Sequence, residues 1–235
     1  MKHRLKAVFS AIAACGFVAS AGAVDVTVQV TNLTHGNHFT PLLISAHSSS
    51  THLFQAGQAA SASLRLMAEC GDISLLVTSL GGADADTIAN PAGGLLAPGA
   101  TTTASLMTAT GQTHLSLTTM LLPTNDAFAG LDAQLIPTTP GTYAYLLNAY
   151  DSGTEANNEL LDASGCASGM PGMPGAPGMN AGSGGTGVTT SESNTTIHIH
   201  RGVLGDTNAT GGSSDLDSRI HRWQNPVARV VVTVK

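Results

Sequence analysis

The sequence predicts an all-β protein, an antiparallel β-sandwich of about eight strands with one short helical insertion. Three observations predict this fold class. Apolar and polar residues alternate over residues 24–33, segments with strand character recur at close spacing, and Gly, Pro, Asn and Asp turns separate them. Strand and helix units do not alternate as they do in a nucleotide-binding parallel sheet.

The first half of the chain predicts two strands followed by the helical insertion. The strands cover residues 24–33 and 41–47, and the polar segment 34–38 between them predicts a hairpin connection. Residues 56–80 are rich in Ala, Ser, Leu and Met and poor in β-branched residues, which favours one or two short helices. A glycine pair ends the helical region, and residues 83–99 are expected to form a loop.

The second half of the chain predicts six further strands. They cover residues 101–108, 114–122, 128–136, 142–149, 195–200 and 227–234. The Gly/Pro/Met-rich segment 164–193 predicts a flexible loop between two of these strands. Its three collagen-like triplets are too few to support a triple helix.

The amino-terminal segment predicts export. Three basic residues precede an apolar run over residues 7–19, which is too short to span a bilayer as a mature helix. Small residues follow at the spacing that signal peptidase requires, so we predict a signal peptide over 1–23 and a secreted or periplasmic domain over 24–235. An alternative stays open, because the Ile-Ala-Ala-Cys sequence ending at Cys15 resembles a lipobox and would anchor the protein through a lipid.

The charge balance narrows the possible partners. With residues 1–23 removed, about six basic residues face fifteen acidic ones, so the net charge is about −9. This charge excludes nucleic acid as an expected partner, and the single remaining lysine, Lys235, offers little attraction to anionic lipids. No apolar stretch of the predicted mature chain is long enough for a transmembrane helix. An acidic surface instead suits divalent cations.

Two cysteines, Cys70 and Cys166, belong to the predicted mature chain. In an oxidising compartment they could form one disulfide. The sequence leaves open whether the two residues meet.

Five short segments carry recognisable patterns in a fixed order. They are the opening strand with residues 39–47, the Pro-Thr-Asn-Asp-Ala-Phe-Ala-Gly segment at 123–130, the Asp-Ser-Gly-Thr-Glu segment within 150–159, the Ile-His-Ile-His-Arg-Gly segment within 197–205, and the Arg-Trp-Gln-Asn-Pro segment within 222–230. Together they resemble the spondin N-terminal domain family, in the form found in bacterial exported proteins. The resemblance implies a C2-like β-sandwich with a bound Ca²⁺ ion, of the kind found in extracellular matrix and adhesion proteins.

Acidic residues follow two of the predicted strands. Asp126 lies in the Pro-Thr-Asn turn, and Asp151 and Glu155 lie in a glycine-containing turn. The residues alone fit turn capping as well as cation binding. The family resemblance favours Ca²⁺, which takes six to eight oxygen ligands without rigid geometry. Weaker candidate ligands are Asn125, Asn158 and Glu159.

Two histidines provide an alternative interpretation. His198 and His200 lie two residues apart on a predicted strand and would face the same side, a spacing used in metal sites. His47 or His221 could complete a three-histidine site, so a metal-dependent enzyme is the alternative function. The sequence has no Gly-x-Ser-x-Gly elbow and no phosphate-binding loop. We therefore expect a non-enzymatic module for adhesion or for recognition of a macromolecule or glycan.

Trp223 is the single tryptophan. It precedes the last predicted strand, with an Asn-Pro pair between them. We expect it to anchor the core rather than to form an exposed recognition surface.

Overall fold

The structure is a computed structural model that describes residues 22–83, 85–161, 172–179, 193–208 and 212–235. These residues form eleven strands and two helices. The strands are β1 (Asp25–Asn32), β2 (His38–Phe39), β3 (Leu43–His47), β4 (Asp86–Ala89), β5 (Thr101–Met107), β6 (His114–Leu122), β7 (Ala127–Leu135), β8 (Gly141–Leu147), β9 (Ala149–Asp151), β10 (His198–Ile199) and β11 (Ala228–Val234). The helices are α1 (Ala62–Cys70) and α2 (Ser74–Gly81).

The strands form two sheets, and every pair of named strands is antiparallel. One sheet has the order β5-β1-β11-β8, and the other has the order β10-β9-β7-β6-β3-β4 with β2 paired to β6. Val26, Val28 and Val30 of β1 are buried in one core cluster with Ile44 and Leu117 of the second sheet. The alternation seen in the sequence therefore fills the space between two sheets, and the predicted all-β sandwich is confirmed.

The connection after β1 differs from the prediction. β1 pairs with β5 and β11, whereas β3 pairs with β4 and β6 in the other sheet, so the predicted hairpin is wrong. The polar segment 34–38 instead crosses between the sheets, where the Asn32 side chain donates to the carbonyl of Asn37 at 2.8 Å. The expected loop over 83–99 contains β4, a four-residue strand that pairs with β3.

The predicted helical insertion is confirmed as two short helices. The Ser61 hydroxyl accepts a hydrogen bond from the Leu64 amide at the start of α1, and Gly71 ends that helix in the left-handed region. Leu64 and Met67 pack in a second hydrophobic cluster with Phe128 of β7. Because the helices cover the outer face of the second sheet, β6 is buried on both faces along nearly its whole length.

Parts of several predictions fall outside the described residues. These parts are residues 1–21 of the predicted signal peptide, with Cys15, and Cys166. Cys70 is disulfide-bonded, and its pairing with Cys166 stays a prediction. Within the predicted loop over 164–193, residues 172–179 are described, and Met173 is fully buried there. No helix in the described part of the chain is long and apolar enough to cross a membrane.

Candidate metal centre

Strand pairing brings the two predicted aspartates together. β7 and β9 are antiparallel, and Ala127 at the start of β7 lies opposite Asp151 at the end of β9. Asp126 therefore lies beside the turn that follows β9, and the Ser152 amide donates to the Asp126 carbonyl. β10 adds a third element, since His198 lies opposite Asp151 on its other side.

A compact group of three side chains results. One ligand atom from each of Asp126, Asp151 and His200 lies within 4.8 Å of the other two, and all three residues are buried. Asp126 and Asp151 are two of the three carboxylates that the sequence predicts as calcium ligands. His200 was predicted only for the alternative histidine site. Among the described residues, Glu155 is not part of this group, although it lies close to Asp126.

The two carboxylate oxygens of Asp126 have different environments. Its Oδ2 accepts hydrogen bonds from the Ser152 hydroxyl at 2.9 Å, the Thr154 amide at 3.0 Å and the Glu155 amide at 3.1 Å. Its Oδ1 is buried and has no hydrogen-bond partner. One oxygen thus organises the 151–155 turn, as turn capping would require, while the other is left for a ligand.

Asp151 is held by the turn and by an amide side chain. Its Oδ1 accepts from the Gly153 amide, and its Oδ2 accepts from the Asn157 side chain, both at 2.8 Å. The Asn157 oxygen lies 2.8 Å from His200 Nε2, and the Gly202 amide donates to His200 Nδ1 at 2.9 Å. Since Nδ1 accepts, a neutral His200 carries its proton on Nε2 and donates it to Asn157. His200 therefore orients Asp151 through Asn157.

The other histidines occupy separate positions. His198 lies on the same side of β10 as His200, and its Nε2 is 3.6 Å from Asp151 Oδ2. The three-histidine alternative is wrong for His47, because this residue pairs with His114 at the opposite end of β6 and hydrogen-bonds Ser116. His221 accepts from the Asp217 amide and is likewise outside the group of ligand atoms found among the described residues.

Glu155 is a buried carboxyl group in a negative environment. It is 8% exposed, and its Oε2 is buried without a hydrogen-bond partner. Burial, followed by the charges of Glu69 and Asp126, raises the pKa of Glu155 to about 8. Glu69 forms an ion pair with Arg65 at 2.7 Å on the buried face of α1. Asp126 therefore lies close to both of the other predicted carboxylates, Asp151 and Glu155.

The pKa of Asp126 is raised for the same physical reasons, to about 7. Burial is the main cause that raises its pKa, and the neighbouring charge of Asp151 adds to it. The three hydrogen bonds to Oδ2 act in the opposite direction without cancelling the effect. Without a cation, the fold must therefore keep a proton in this carboxylate group near neutral pH.

The weaker candidates have structural contacts of their own. The Glu159 carboxylate accepts from the Leu204 amide at 2.6 Å, the Gly205 amide at 2.8 Å and the Ser214 hydroxyl at 2.6 Å. Asn125 donates to Asn158 at 2.8 Å and accepts from the Glu159 amide. These three residues connect the 155–160 segment to the Asp126 turn and to Leu204, Gly205 and Ser214.

Comparison with known proteins identifies the family of the chain. The model of the Spondin_N family matches residues 31–159, more than half of the chain, so the protein belongs to this family. The matched range contains Asp126, Asp151 and Glu155. No curated protein matches the chain. Family and sandwich fold together define a domain of extracellular type.

Sequence reasoning missed two residues of the site. Asn157 connects Asp151 to His200, and Glu69 contributes the largest charge effect on Glu155. In a helix, a glutamate four residues after an arginine such as Arg65 predicts an ordinary ion pair on the surface. Only the packing of α1 against the second sheet shows that Glu69 is 2% exposed.

Proposed function

We propose that the protein is an exported Ca²⁺-binding β-sandwich module, with Asp126, Asp151 and Glu155 as metal ligands. One observation carries the proposal. Asp126 Oδ1 and Glu155 Oε2 are buried, belong to neighbouring carboxylates and have no hydrogen-bond partner. A buried carboxylate oxygen without a partner is costly, and a hard cation between such oxygens would remove that cost.

The donor atoms favour Ca²⁺ over a transition metal. The oxygens without partners are carboxylate oxygens, which are hard ligands of the kind that calcium accepts. Both ring nitrogens of His200 already have partners, so a metal that prefers imidazole would first have to break the contacts to Asn157 and Gly202. The binding of Ca²⁺ would also offset the mutual repulsion of the carboxylates and stabilise the turn that they form.

We further propose that the module serves adhesion or recognises a macromolecule or glycan, at the cell envelope or outside the cell. Membership of the Spondin_N family supports this role. The candidate ligands lie at the end of β9 and in the turns beside it, and a rigid sandwich commonly presents its binding surface on the loops at the ends of its strands. The predicted export signal and acidic net charge agree with such a location.

A metal-dependent enzyme is the second candidate, and one observation favours it. His200 lies with Asp126 and Asp151, and His198 approaches Asp151 from the solvent side with a side chain that is 36% exposed. A nitrogen and two carboxylates could hold zinc or iron once His200 turned away from Asn157. Metal identity separates the two candidates.

Calorimetric titration of the chelator-stripped protein tests the proposal. We expect Ca²⁺ to bind at one site, and Zn²⁺ not to compete at equal concentration. Asp126→Asn and Asp151→Asn should each abolish binding. Asp25→Asn is the matched control, because it removes an exposed carboxylate at the start of β1. Tight zinc binding that His200→Gln removes would instead support the enzyme.

A further inference from the structure

A cleft on the surface lies beside the segment that precedes the last strand. Its volume is about 390 Å³, which falls in the range of small-ligand sites. The residues that line it are Leu33, Thr34, His35, Arg222, Trp223, Gln224, Pro226 and Val227. A backbone hydrogen bond from the Leu33 amide to the Val227 carbonyl, at 2.9 Å, joins the two segments that line the cleft.

The residues that line this cleft are basic or uncharged, whereas the chain as a whole is acidic. None of its lining residues is acidic, although the sequence has fifteen Asp and Glu against nine Lys and Arg. Arg222 is exposed and forms no ion pair with any described residue, whereas Arg65 and Arg219 are paired with Glu69 and Asp217. The free guanidinium therefore has its fork of donors available to an anion.

Trp223 gives the cleft a fixed aromatic wall. The residue is half-buried, and it packs against both the main sandwich core and a smaller cluster that contains Val203 and Leu216. Its ring centroid lies 5.1 Å from that of His200, with the two planes tilted by 42°. Trp223 therefore anchors the core as the sequence suggested, and it also presents a surface to the cleft, which the sequence did not suggest.

We propose that this cleft binds an acidic saccharide, with the ring of a uronic acid against Trp223 and its carboxylate on Arg222. A sugar ring has an apolar face that suits an aromatic wall. The planar guanidinium matches a carboxylate in a two-point contact. The exposed Gln224 amide, beside them, can donate to and accept from sugar hydroxyls. The inference rests on the proposed recognition function and names its ligand class.

Intrinsic fluorescence tests this directly, because Trp223 is the only tryptophan and lines the cleft. The purified protein is titrated, without added calcium, with a trimer of galacturonic acid and with a neutral trimer of glucose. We expect the acidic trimer to shift the emission and to bind at least tenfold more tightly. Arg222→Gln should remove that preference. Lys235→Gln is the control, since it deletes an exposed cation just beyond the far end of β11.

Three outcomes would overturn the inference. They are no binding by the acidic trimer, equal binding by both trimers, and equally tight binding by an acidic tripeptide, which would assign the cleft to a protein ligand. Calcium binding is measured in parallel by calorimetry. Calcium binding without saccharide binding refutes only the cleft, and saccharide binding without calcium binding refutes only the metal centre. Thermal unfolding of Arg222→Gln confirms that this exposed substitution leaves the fold intact.

Discussion

Asp126→Asn separates the two tasks of this carboxylate. The asparagine carbonyl can take the place of Oδ2 and keep the hydrogen bonds from Ser152, Thr154 and Glu155. Its amide then takes the place of Oδ1, which has no partner, and can donate to a neighbouring carboxylate. The substitution therefore keeps the turn and removes the charge. We expect it to stabilise the cation-free protein.

The size of the gain follows from the geometry. Two full charges at the 4.8 Å limit of the group repel by about 3.5 kcal/mol at an effective dielectric constant of about 20. A proton on Asp126, whose pKa is raised, already relieves part of this repulsion in the parent protein. We therefore expect Asp126→Asn to add about 1–3 kcal/mol to the free energy of unfolding, which corresponds to a rise in Tm of about 2–12 °C for a domain of this size.

Urea unfolding at pH 7.5, with chelator and with calcium, measures both effects. Calcium at 100 times its dissociation constant should stabilise the parent by about 2.7 kcal/mol and leave Asp126→Asn unchanged. The difference in stability between the variant and the parent should therefore change by about 2.7 kcal/mol in favour of the parent when calcium is added, while Asp25→Asn follows the parent. The reasoning is refuted if Asp126→Asn loses more than about 1 kcal/mol in chelator, or if it keeps the calcium response.

Further predictions concern the segment after β9. In the cation-free protein, Glu155 makes its full contribution to the free energy of unfolding below its ordinary pKa of 4.5, and this contribution is lost as the pH rises through about 8. The midpoint of urea unfolding should therefore fall from pH 5 to pH 8. Glu155→Gln should make that fall smaller. Glu159→Gln should cost about 2 kcal/mol in urea unfolding, because an amide would face backbone donors, and should keep calcium binding by calorimetry. Gly153→Ala should cost about 1–3 kcal/mol and weaken calcium binding, since φ is +71° and a Cβ would lie 2.7–2.8 Å from the backbone of Thr195 and Thr196.

The sequence pattern predicted the features that depend on residues close together along the chain. The alternating valines of β1 identify a half-buried strand wherever that strand lies, so its bounds were predicted to within one residue. The partners of β1 are β5 and β11, and the paired residues lie 70 to 82 and 196 to 208 positions away along the chain. Only the closure of the whole sandwich selects them. The hairpin prediction failed because it assumed that neighbours in sequence pair with each other.

The site was predictable to the extent that it follows strand ends. Asp126 and Asp151 flank predicted strands, and the antiparallel pairing of β7 with β9 brings them together. The relay through Asn157 to His200 depends on where β10 attaches, which no spacing along the chain encodes. The near-complete burial of Glu69 depends in the same way on how α1 packs. Sequence therefore identified the candidate ligands, and the tertiary structure shows which of them lie close together.

His200 connects the candidate metal centre to a residue that lines the cleft. His200 holds Asp151 through Asn157 on one side and contacts the ring of Trp223 on the other. A cation that shifts Asp151 would act on the ring that forms the back of the cleft. Coupling between two binding events is reciprocal, so any factor by which calcium changes saccharide affinity must equal the factor by which the saccharide changes calcium affinity. Two titrations, each repeated with the other ligand saturating, must therefore return the same factor, and we expect that factor to differ from one if the two sites are coupled through His200.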